Sequence, residues 1–486
     1  MTTLNIEELL YSNSIWESVL GEMWVRKVEP ETVARITMLD YRYDICNKLI
    51  TGSYKFNPPK LVHIPKDDGT LRDLLILEDQ DRIVMQVLYK IYYSLYKSNI
   101  HSSCMSYQTG VSVKDIAVQI RNGLKSELQR YKLDISKYFD SVPQDVINRE
   151  LNNMDPTSGP TVSLYNFYND NRIIVHGKEV EHFKSLCQGC SFSALLANVI
   201  LYDIDEYLSA HADMYIRYSD DMYIQDANVN ALIVKAKEML AHKGLILKDS
   251  KVQQLATSFD FVGVHISPTR LSIGKKGLRN ICNNIKQKLK NKTSLERAIR
   301  AVQSYLLSSD TNGYSALSYW FNICTNVDDI IKLDRMIKDE IRYHFTNKHN
   351  IVHNIHQLPN QAFKESGWVS LEYLYRLYKH DKNAYKAYSA YILHKYMLTP
   401  SKIRSYMTID KISSDLLKFW ETAKYAKHSP FITYEKPLDV DFNISSYESN
   451  TAREYMCNII KNATIDFGED KFIKVTDELF LFKDWF

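Results

Sequence analysis

Two adjacent aspartates, Asp220 and Asp221, end the sequence YSDD within the stretch YIRYSDDMYI, residues 215–224. Apolar and polar residues alternate on both sides, which predicts two short strands joined by a turn that carries the carboxylates. Ser and Asp are common turn formers, so an ordinary surface turn also explains the pair. A metal site would need a third carboxylate from elsewhere in the chain.

A candidate for that third carboxylate is Asp134, in the stretch YKLDISKYFDSV, residues 131–142. Leu133 and Ile135 flank it in a strand-like run, and a turn or helix start is predicted at Lys137. A carboxylate at the end of a buried strand is costly without a partner, and carboxylate oxygens suit Mg²⁺. Two such ions about 4 Å apart can activate a 3′ hydroxyl and stabilise a leaving pyrophosphate. The alternative is a capping or hydrogen-bonded aspartate.

Between these two stretches lies CQGCSFSALLANVIL, residues 187–201, where a glycine turn leads into an apolar helix. Gln188 could bring its amide close to a nucleotide or a template base. The alternative is a loop before a buried helix. The Cys187-x-x-Cys190 spacing suggests redox chemistry or zinc, but a zinc site requires a second ligand pair.

The elements around these stretches alternate short strands with helices, which predicts an α+β fold. We expect helices in 1–56 and 80–100, one long amphipathic helix over 278–308 and another over 315–347, a strand–turn–strand in 57–77, alternating strands and helices in 129–266, and a hairpin in 464–475.

Composition bounds the class of protein. The chain has 486 residues, of which 45% are apolar and 24% charged, as in soluble globular proteins. The net charge of +3 means that any nucleic-acid surface must be local. Seven cysteines, an odd number in a long chain, favour reduced thiols. With no signal peptide and no apolar run near the roughly 20 residues of a membrane helix, we expect a cytoplasmic protein with no membrane partner.

The order of LDISKYFDSV, QGCSFSALLANVIL and YSDD is similar to motifs A, B and C of reverse transcriptases, especially the bacterial group-II-intron-like branch. HIPKDDGTLRDLLI and EDQDRIVMQ resemble the fingers motif and its following helix, GLILKDSKVQ resembles motif D, and FDFVGVHI resembles the motif E primer grip. The resemblance implies a right-hand polymerase with an α-helical C-terminal domain. The expected regions are an N-terminal helical region, fingers and palm, a basic helical thumb, and a mainly α-helical extension, at residues 1–56, 57–270, 271–350 and 351–486.

The resemblance also implies roles for individual residues. Two Mg²⁺ ions, with Mn²⁺ as a substitute, would be held by Asp134, Asp220, Asp221 and the backbone carbonyl of Ile135. Lys251 would act near the pyrophosphate. The deoxynucleoside triphosphate would contact Lys66, Arg72, Ile135, Phe139, Gln188 and Tyr218. Arg offers a fork to phosphate oxygens and Lys a point charge; the alternative for Lys66 and Arg72 is a solvated turn rim.

Phe139 lies five residues after Asp134, where reverse transcriptases carry an aromatic steric gate against the ribose 2′ hydroxyl. Deoxynucleotides are therefore expected; the alternative is a core phenylalanine. The segment after residue 270 is rich in lysine and arginine, and Glu296 is its only acidic residue up to Arg300. Such a run is usually a solvated helix face, but after a palm we expect it to follow a phosphate backbone. Its members include Lys275, Lys276, Arg279, Lys286, Lys288 and Lys290.

Within that family the chain looks most like the unknown-group and abortive-infection enzymes of bacterial anti-phage defence. That resemblance implies cDNA synthesis from dNTPs on an RNA template, a dedicated noncoding RNA in some members, and homo-oligomers in several. The alternatives are a mobile-element reverse transcriptase or maturase, and a catalytically inactive RNA-binding scaffold. Tyrosines recur on one predicted helix face in residues 373–397, and we favour a packed aromatic stripe over RNA stacking or a priming hydroxyl.

Overall fold

The computed structural model describes residues 5–25, 28–65, 71–308 and 315–397, and three short strands near the C-terminus. Lys66 lies outside the described residues. The chain divides into two compact units, Met1–Val262 and Gly263–Phe486. Among the described helices, none is both long and apolar enough to cross a membrane.

The first unit combines helices with short strands, so the α+β prediction is confirmed. Its helices are α1 Ile6–Leu10, α2 Asn13–Val25, α3 Pro30–Thr37, α4 Leu39–Ile50, α5 Asp79–Tyr96, α6 Val113–Asn122, α7 Tyr138–Ser141, α8 Gln144–Met154, α9 Gly159–Asn169, α10 Ser191–Val199, α11 Tyr202–His211 and α12 Val229–His242. Its strands are β1 Lys60–Pro65, β2 Leu71–Ile76, β3 Gln129–Asp134, β4 Arg172–Val175, β5 Lys178–Glu181, β6 Met214–Tyr218, β7 Asp221–Asp226, β8 Val252–Gln254 and β9 Phe259–Phe261.

Two four-stranded sheets organise this unit. In the first, β1 pairs antiparallel with β2 and parallel with β4, and the order is β2-β1-β4-β5. In the second, all the pairs are antiparallel and the order is β6-β7-β3-β8. The second sheet carries the aspartates, since β3 ends at Asp134 and β7 begins at Asp221.

One apolar core holds the first unit together. Helix α5 is buried along much of its length and contributes Ile83, Val84, Val87, Leu88 and Ile91. The core also takes Leu133 and Ile135, the residues on either side of Asp134 in the sequence. Burial of this kind, at about 25 cal/mol per Å² of apolar surface, is what fixes the strands in one register.

The second unit is mostly helical. It contains the antiparallel hairpin β10 Val264–Ile266 with β11 Leu271–Ile273, then α13 Lys275–Leu289, α14 Leu295–Leu307, α15 Ala316–Ile323, α16 Val327–Thr346, α17 Ile351–Gln357, α18 Asn360–Glu365, α19 Leu371–His380 and α20 Lys382–Met397. Strands β12 Thr464–Ile465, β13 Phe472–Lys474 and β14 Phe480–Phe482 form an antiparallel sheet, which confirms the hairpin expected there.

The prediction of one continuous helix in each of 278–308 and 315–347 is wrong, because each range holds two helices. Helix α13 ends at Leu289, Asn291 takes a left-handed φ of 61°, and Ser294 caps α14 by accepting from the Arg297 amide. Asn326 likewise caps α16 through the Asp328 amide. Polar caps satisfy amides that would otherwise lack partners, so they define new helix starts.

The predicted tyrosine stripe is a packed cluster in the core of the second unit. Tyr378 and Tyr385 meet edge to face with ring centroids 5.2 Å apart, and both contact Phe321. The Tyr375 hydroxyl donates to the Cys324 carbonyl at 2.8 Å. Tyr388 is also buried. Burial of these four rings agrees with the packed alternative and leaves their hydroxyls poorly placed to prime synthesis.

Candidate active site

The register of the second sheet brings the predicted carboxylates together. Asp134, the last residue of β3, stands directly opposite Asp221, the first residue of β7. The amide of Ile135 donates to the Asp220 carbonyl at 3.2 Å, which ties the end of β3 to the β6–β7 turn. Ser219 in that turn has a left-handed φ of 59°. Asp134 and Asp221, which are far apart in the sequence, thus meet at the same end of the two central strands.

Two lysines contact two of these carboxylates. Lys251 Nζ lies 2.8 Å from Asp134 Oδ2, and Lys132 Nζ lies 2.7 Å from Asp221 Oδ1. The Asp134 and Asp221 side chains keep 27% and 25% of their surface exposed, so solvent reaches both. The proximity of Lys251 to the carboxylates agrees with its predicted place at the site, whereas Lys132 was not expected there.

Burial disfavours the charged forms of Asp220 and Asp221, and neighbouring negative charge adds to the effect. Burial and then the negative charge of Asp221 raise the pKa of Asp220, and Asp134 adds to the effect. Burial also raises the pKa of Asp221, against the opposing charge of Lys132. The hydrogen bond from Lys251 to Asp134 raises the pKa of Lys251. Like charges this close resist ionisation unless positive charge is supplied.

The fit of these residues to Mg²⁺ rests on their donor chemistry. Three carboxylates and the Ile135 carbonyl are the hard oxygen donors that this ion prefers. Within the described ranges, no set of three acidic, histidine or cysteine side chains is already arranged as a metal site. Ammonium groups contact one oxygen each of Asp134 and Asp221. The donor set fits Mg²⁺, with rearrangement of these contacts on binding.

A buried network that the sequence analysis missed supports the aspartate turn. Arg217 and Asp205 are both fully buried and form a two-bond ion pair, with N–O distances of 2.7 and 2.6 Å. The same guanidinium donates to the Ser219 carbonyl at 3.1 Å and to the Asn198 carbonyl at 3.0 Å. The sequence did contain a signal for this network, because Arg217 is a charged residue inside an otherwise apolar strand. Its acidic partner, Asp205, lies twelve residues upstream in α11.

The loop that carries Gln188 is fastened to the first sheet. The Leu75 amide of β2 donates to the Gln188 carbonyl at 2.8 Å, and the Gln188 side chain donates to Asp140 at 3.3 Å. Gly189 has φ of +110°, and a Cβ there would lie 2.8 Å from the Leu75 carbonyl oxygen. Glycine is therefore required at this close approach.

Cys187 and Cys190 show none of the features of a reactive pair. Both are buried free thiols, and burial raises the pKa of each. Buried thiols of this kind are inert, because the thiolate is the reactive form. All six cysteines that the structure describes are free.

Three of the predicted nucleotide contacts lie at different places in the first unit. Phe139 is half-buried in α7, with its ring edge to face against Tyr138 at 5.7 Å. Tyr218 is half-buried at the end of β6, opposite Asp221. Arg72 is exposed on β2, opposite Ile64 of β1. The structure brings only Tyr218 into direct register with the carboxylates.

The six basic residues predicted to follow a phosphate backbone lie on or next to α13, and all of them are exposed. The opposite face of α13 buries Ile281, Ile285 and Leu289. Lys286 lies 3.7 Å from Glu340 of α16, so its charge is partly balanced within the second unit. The helix is therefore amphipathic, with a strongly basic outer face.

Comparison with known proteins identifies the first unit. Residues 64–266 match the family model described as reverse transcriptase (RNA-dependent DNA polymerase). This segment contains all of the second sheet, most of the first sheet and every aspartate of the site. Residues 64–266 are therefore similar to the reverse transcriptase domain.

Similar curated proteins include two from Saccharomyces cerevisiae. The putative COX1/OXI3 intron 1 protein is 24% identical over 54% of this chain and 32% of its own length. The putative COX1/OXI3 intron 2 protein is 22% identical over 58% of this chain and 34% of its own length. The chain thus spans about a third of each yeast relative. The reverse transcriptase segment of this chain is thus homologous to intron proteins.

Among solved structures, apo telomerase from Candida tropicalis aligns with a TM-score of 0.40 and 12% identity over 77% of this chain and 66% of that one. Telomerase from Candida albicans with a fragment of telomeric RNA aligns with a TM-score of 0.40 and 11% identity, over 75% and 64% of the two chains.

Proposed function

We propose that this protein is an RNA-directed DNA polymerase that extends a DNA strand with deoxynucleoside triphosphates on an RNA template. The observation that carries the proposal is the β3–β7 register, which sets Asp134 opposite Asp221 inside a matched reverse transcriptase domain. The alternative of a catalytically inactive RNA-binding scaffold does not explain why three acidic side chains lie near one another at the partly solvated ends of β3 and β7. Their mutual repulsion is unfavourable.

In this proposal Asp134, Asp220, Asp221 and the Ile135 carbonyl hold two Mg²⁺ ions, for which Mn²⁺ substitutes. When bound, the ions supply Lewis acidity to the attacking 3′ hydroxyl and to the departing pyrophosphate. The β3–β7 ladder fixes the spacing of Asp134 and Asp221, and the Ile135–Asp220 backbone bond fixes the turn. Lys251, beside Asp134, is placed to supply positive charge or a proton to the pyrophosphate.

The remaining first-unit residues would orient the nucleotide. Arg72 and Lys66 would bind the triphosphate, and Phe139 would exclude the ribose 2′ hydroxyl. Gln188 and Tyr218 would line the nucleotide site. What supports this assignment is their position within the matched segment, together with the bond that holds the Gln188 loop against β2.

The second unit would bind the template and product strands. The exposed residues Lys275, Lys276, Arg279, Lys286, Lys288 and Lys290 provide a sequence-independent phosphate-binding face. Each phosphate contact releases condensed counterions, so binding should weaken steeply as salt rises.

For biological role we infer anti-phage defence in the cytoplasm, with a dedicated noncoding RNA as template and a homo-oligomer as the working form. The helices α17–α20 support this, because they lie in the predicted C-terminal extension, beyond the segment that matches the family. The second candidate is a mobile-element reverse transcriptase, which the similarity to yeast intron proteins favours. Sequencing the nucleic acid that co-purifies with the protein separates them: one recurrent structured RNA favours defence, and intron RNA favours the mobile element.

The polymerase proposal is tested by primer extension with the full chain, an RNA template, a DNA primer, dNTPs and Mg²⁺. Asp221→Asn should lower the rate by more than about 100-fold, because even outer-sphere changes cost about 10–100-fold. The matched control is Asp226→Asn at the other end of β7, where the carboxylate accepts from the Asp213 and Asn228 amides. Wild-type extension by Asp221→Asn, or no extension by the unmodified protein, would refute the proposal. RNA binding measured in parallel distinguishes a scaffold.

A further inference from the structure

Lys132 lies on the same face of β3 as Asp134, because side chains two residues apart in a strand point the same way. In the ladder Lys132 stands opposite Tyr223, and Asp134 stands opposite Asp221. The lysine therefore reaches diagonally across the strand pair to Asp221, a distance that a long side chain can span.

The contact is close and partly shielded. Lys132 Nζ lies 2.7 Å from Asp221 Oδ1, and the two side chains retain only 24% and 25% of their exposure. Most surface ion pairs are more exposed than this and contribute little. The partial burial gives the ammonium group a stronger hold on the carboxylate than a solvated lysine would have.

A divalent ion held by Asp221 would face this ammonium group directly. One carboxylate oxygen already carries a positive partner, so ion binding must displace that partner or tolerate its charge nearby. Both cost free energy, since like charges repel and the repulsion is strong at short range. Lys132 and the incoming ion thus compete for the same carboxylate.

Resting on the function proposed above, we propose that Lys132 is a built-in competitor of the divalent ion at Asp221. It stabilises the carboxylates while no ion is bound and raises the ion concentration needed to load the site. Lys132 is a positioning residue in this role, because it acts on the ion through Asp221.

Phe261 gives the displaced ammonium group a second partner. Its ring centroid lies 5.9 Å from Lys132 Nζ, within the range of a cation–π contact. The ring is held in turn by Tyr223, at a centroid distance of 6.1 Å. When an ion takes Asp221, Lys132 can keep its charge over the Phe261 ring.

The test measures binding of Mn²⁺ alone to the full chain, freed of nucleic acid, by loss of the free-ion electron paramagnetic resonance signal. Lys132→Gln removes the competitor and should lower the Kd for Mn²⁺ by roughly tenfold, the size expected for one nearby positive charge in water-like surroundings. Lys132→Arg keeps the charge and should bind Mn²⁺ like the wild type.

The matched control is Lys235→Gln on α12, which removes the same charge from an exposed pair whose Nζ lies 3.1 Å from Glu238. Its Kd for Mn²⁺ should not change. Calorimetry adds a second readout. In EDTA, Lys132→Gln should have a lower melting temperature than the wild type. At saturating Mn²⁺ without EDTA, the difference in melting temperature between the variant and the wild type should become smaller.

An unchanged or weaker Kd for Mn²⁺ in Lys132→Gln would overturn the proposal, as would absence of Mn²⁺ binding in every variant. A structural role alone would lower the melting temperature equally with and without Mn²⁺. The outcome is independent of polymerisation, because no nucleotide or template is present. Tightened Mn²⁺ binding together with failed primer extension would overturn the proposed function and leave the competition intact.

Discussion

Removal of one charge from the Arg217–Asp205 pair should destabilise the first unit strongly. In Asp205→Asn the guanidinium stays fully buried but loses its negative partner and one of the two oxygens that accept from it at 2.7 and 2.6 Å. Breaking a buried pair by removing one partner costs about 3–5 kcal/mol, because an uncompensated charge is left inside. For a unit of this size the melting temperature should fall by roughly 10 °C or more.

The control for this variant is Glu372→Gln, which breaks an exposed pair of the same chemistry. Arg376 Nη2 lies 2.7 Å from Glu372, but the two side chains are 64% and 38% exposed. Such a pair is worth about 0–1 kcal/mol, so the loss should be small.

Differential scanning calorimetry of both variants beside the wild type decides the comparison. Equal shifts for Asp205→Asn and Glu372→Gln would show that the reasoning from burial is wrong. Because Arg217 also holds the Ser219 carbonyl, Asp205→Asn should slow primer extension below its own melting temperature, with Glu372→Gln unaffected.

Three further predictions concern the site. The raised pKa of Asp220 means that the folded state binds its proton more tightly than the unfolded state, so stability is lost as pH rises through that pKa; in EDTA, Asp220→Asn should melt higher than wild type at neutral pH, and a gain that persists in acid would contradict this. Phe139→Val should raise incorporation of ribonucleotides relative to deoxynucleotides by about tenfold or more in single-nucleotide extension, and an unchanged ratio would remove Phe139 as the gate. Gly189→Ala should cost about 1–3 kcal/mol in urea unfolding, more than Gly177→Ala, where φ is +79° but the space is open; equal losses would show that the approach to β2 is not tight.

The strands and the aspartates could be predicted because their signal is local. Alternating residues around Asp220 and Asp221 define β6 and β7 with the turn where it was expected. The division of each long range into two helices also has a local signal. Cap residues such as Ser294 and Asn326 mark where the second helix of each range begins. Caps are recognisable from the sequence, so that error was avoidable.

The contacts that depend on register could not be predicted. Lys132 reaches Asp221 only because of which β7 residue stands opposite each β3 residue, and a slip of one position would send it to the other face. The partner of Arg217 likewise follows from the packing of α11 under β6. Sequence patterns fix the elements, whereas such pairs arise from tertiary packing.

The bond between the Leu75 amide and the Gln188 carbonyl limits how the β1–β2 hairpin can move. Leu75 of β2 is hydrogen-bonded to the loop before α10. The backbone of Gly189 in that loop packs closely against the Leu75 carbonyl. Arg72 lies three residues nearer the tip, beyond that anchor. A movement of β1 and β2 that keeps this bond must therefore leave Leu75 in place and displace the residues nearer Arg72.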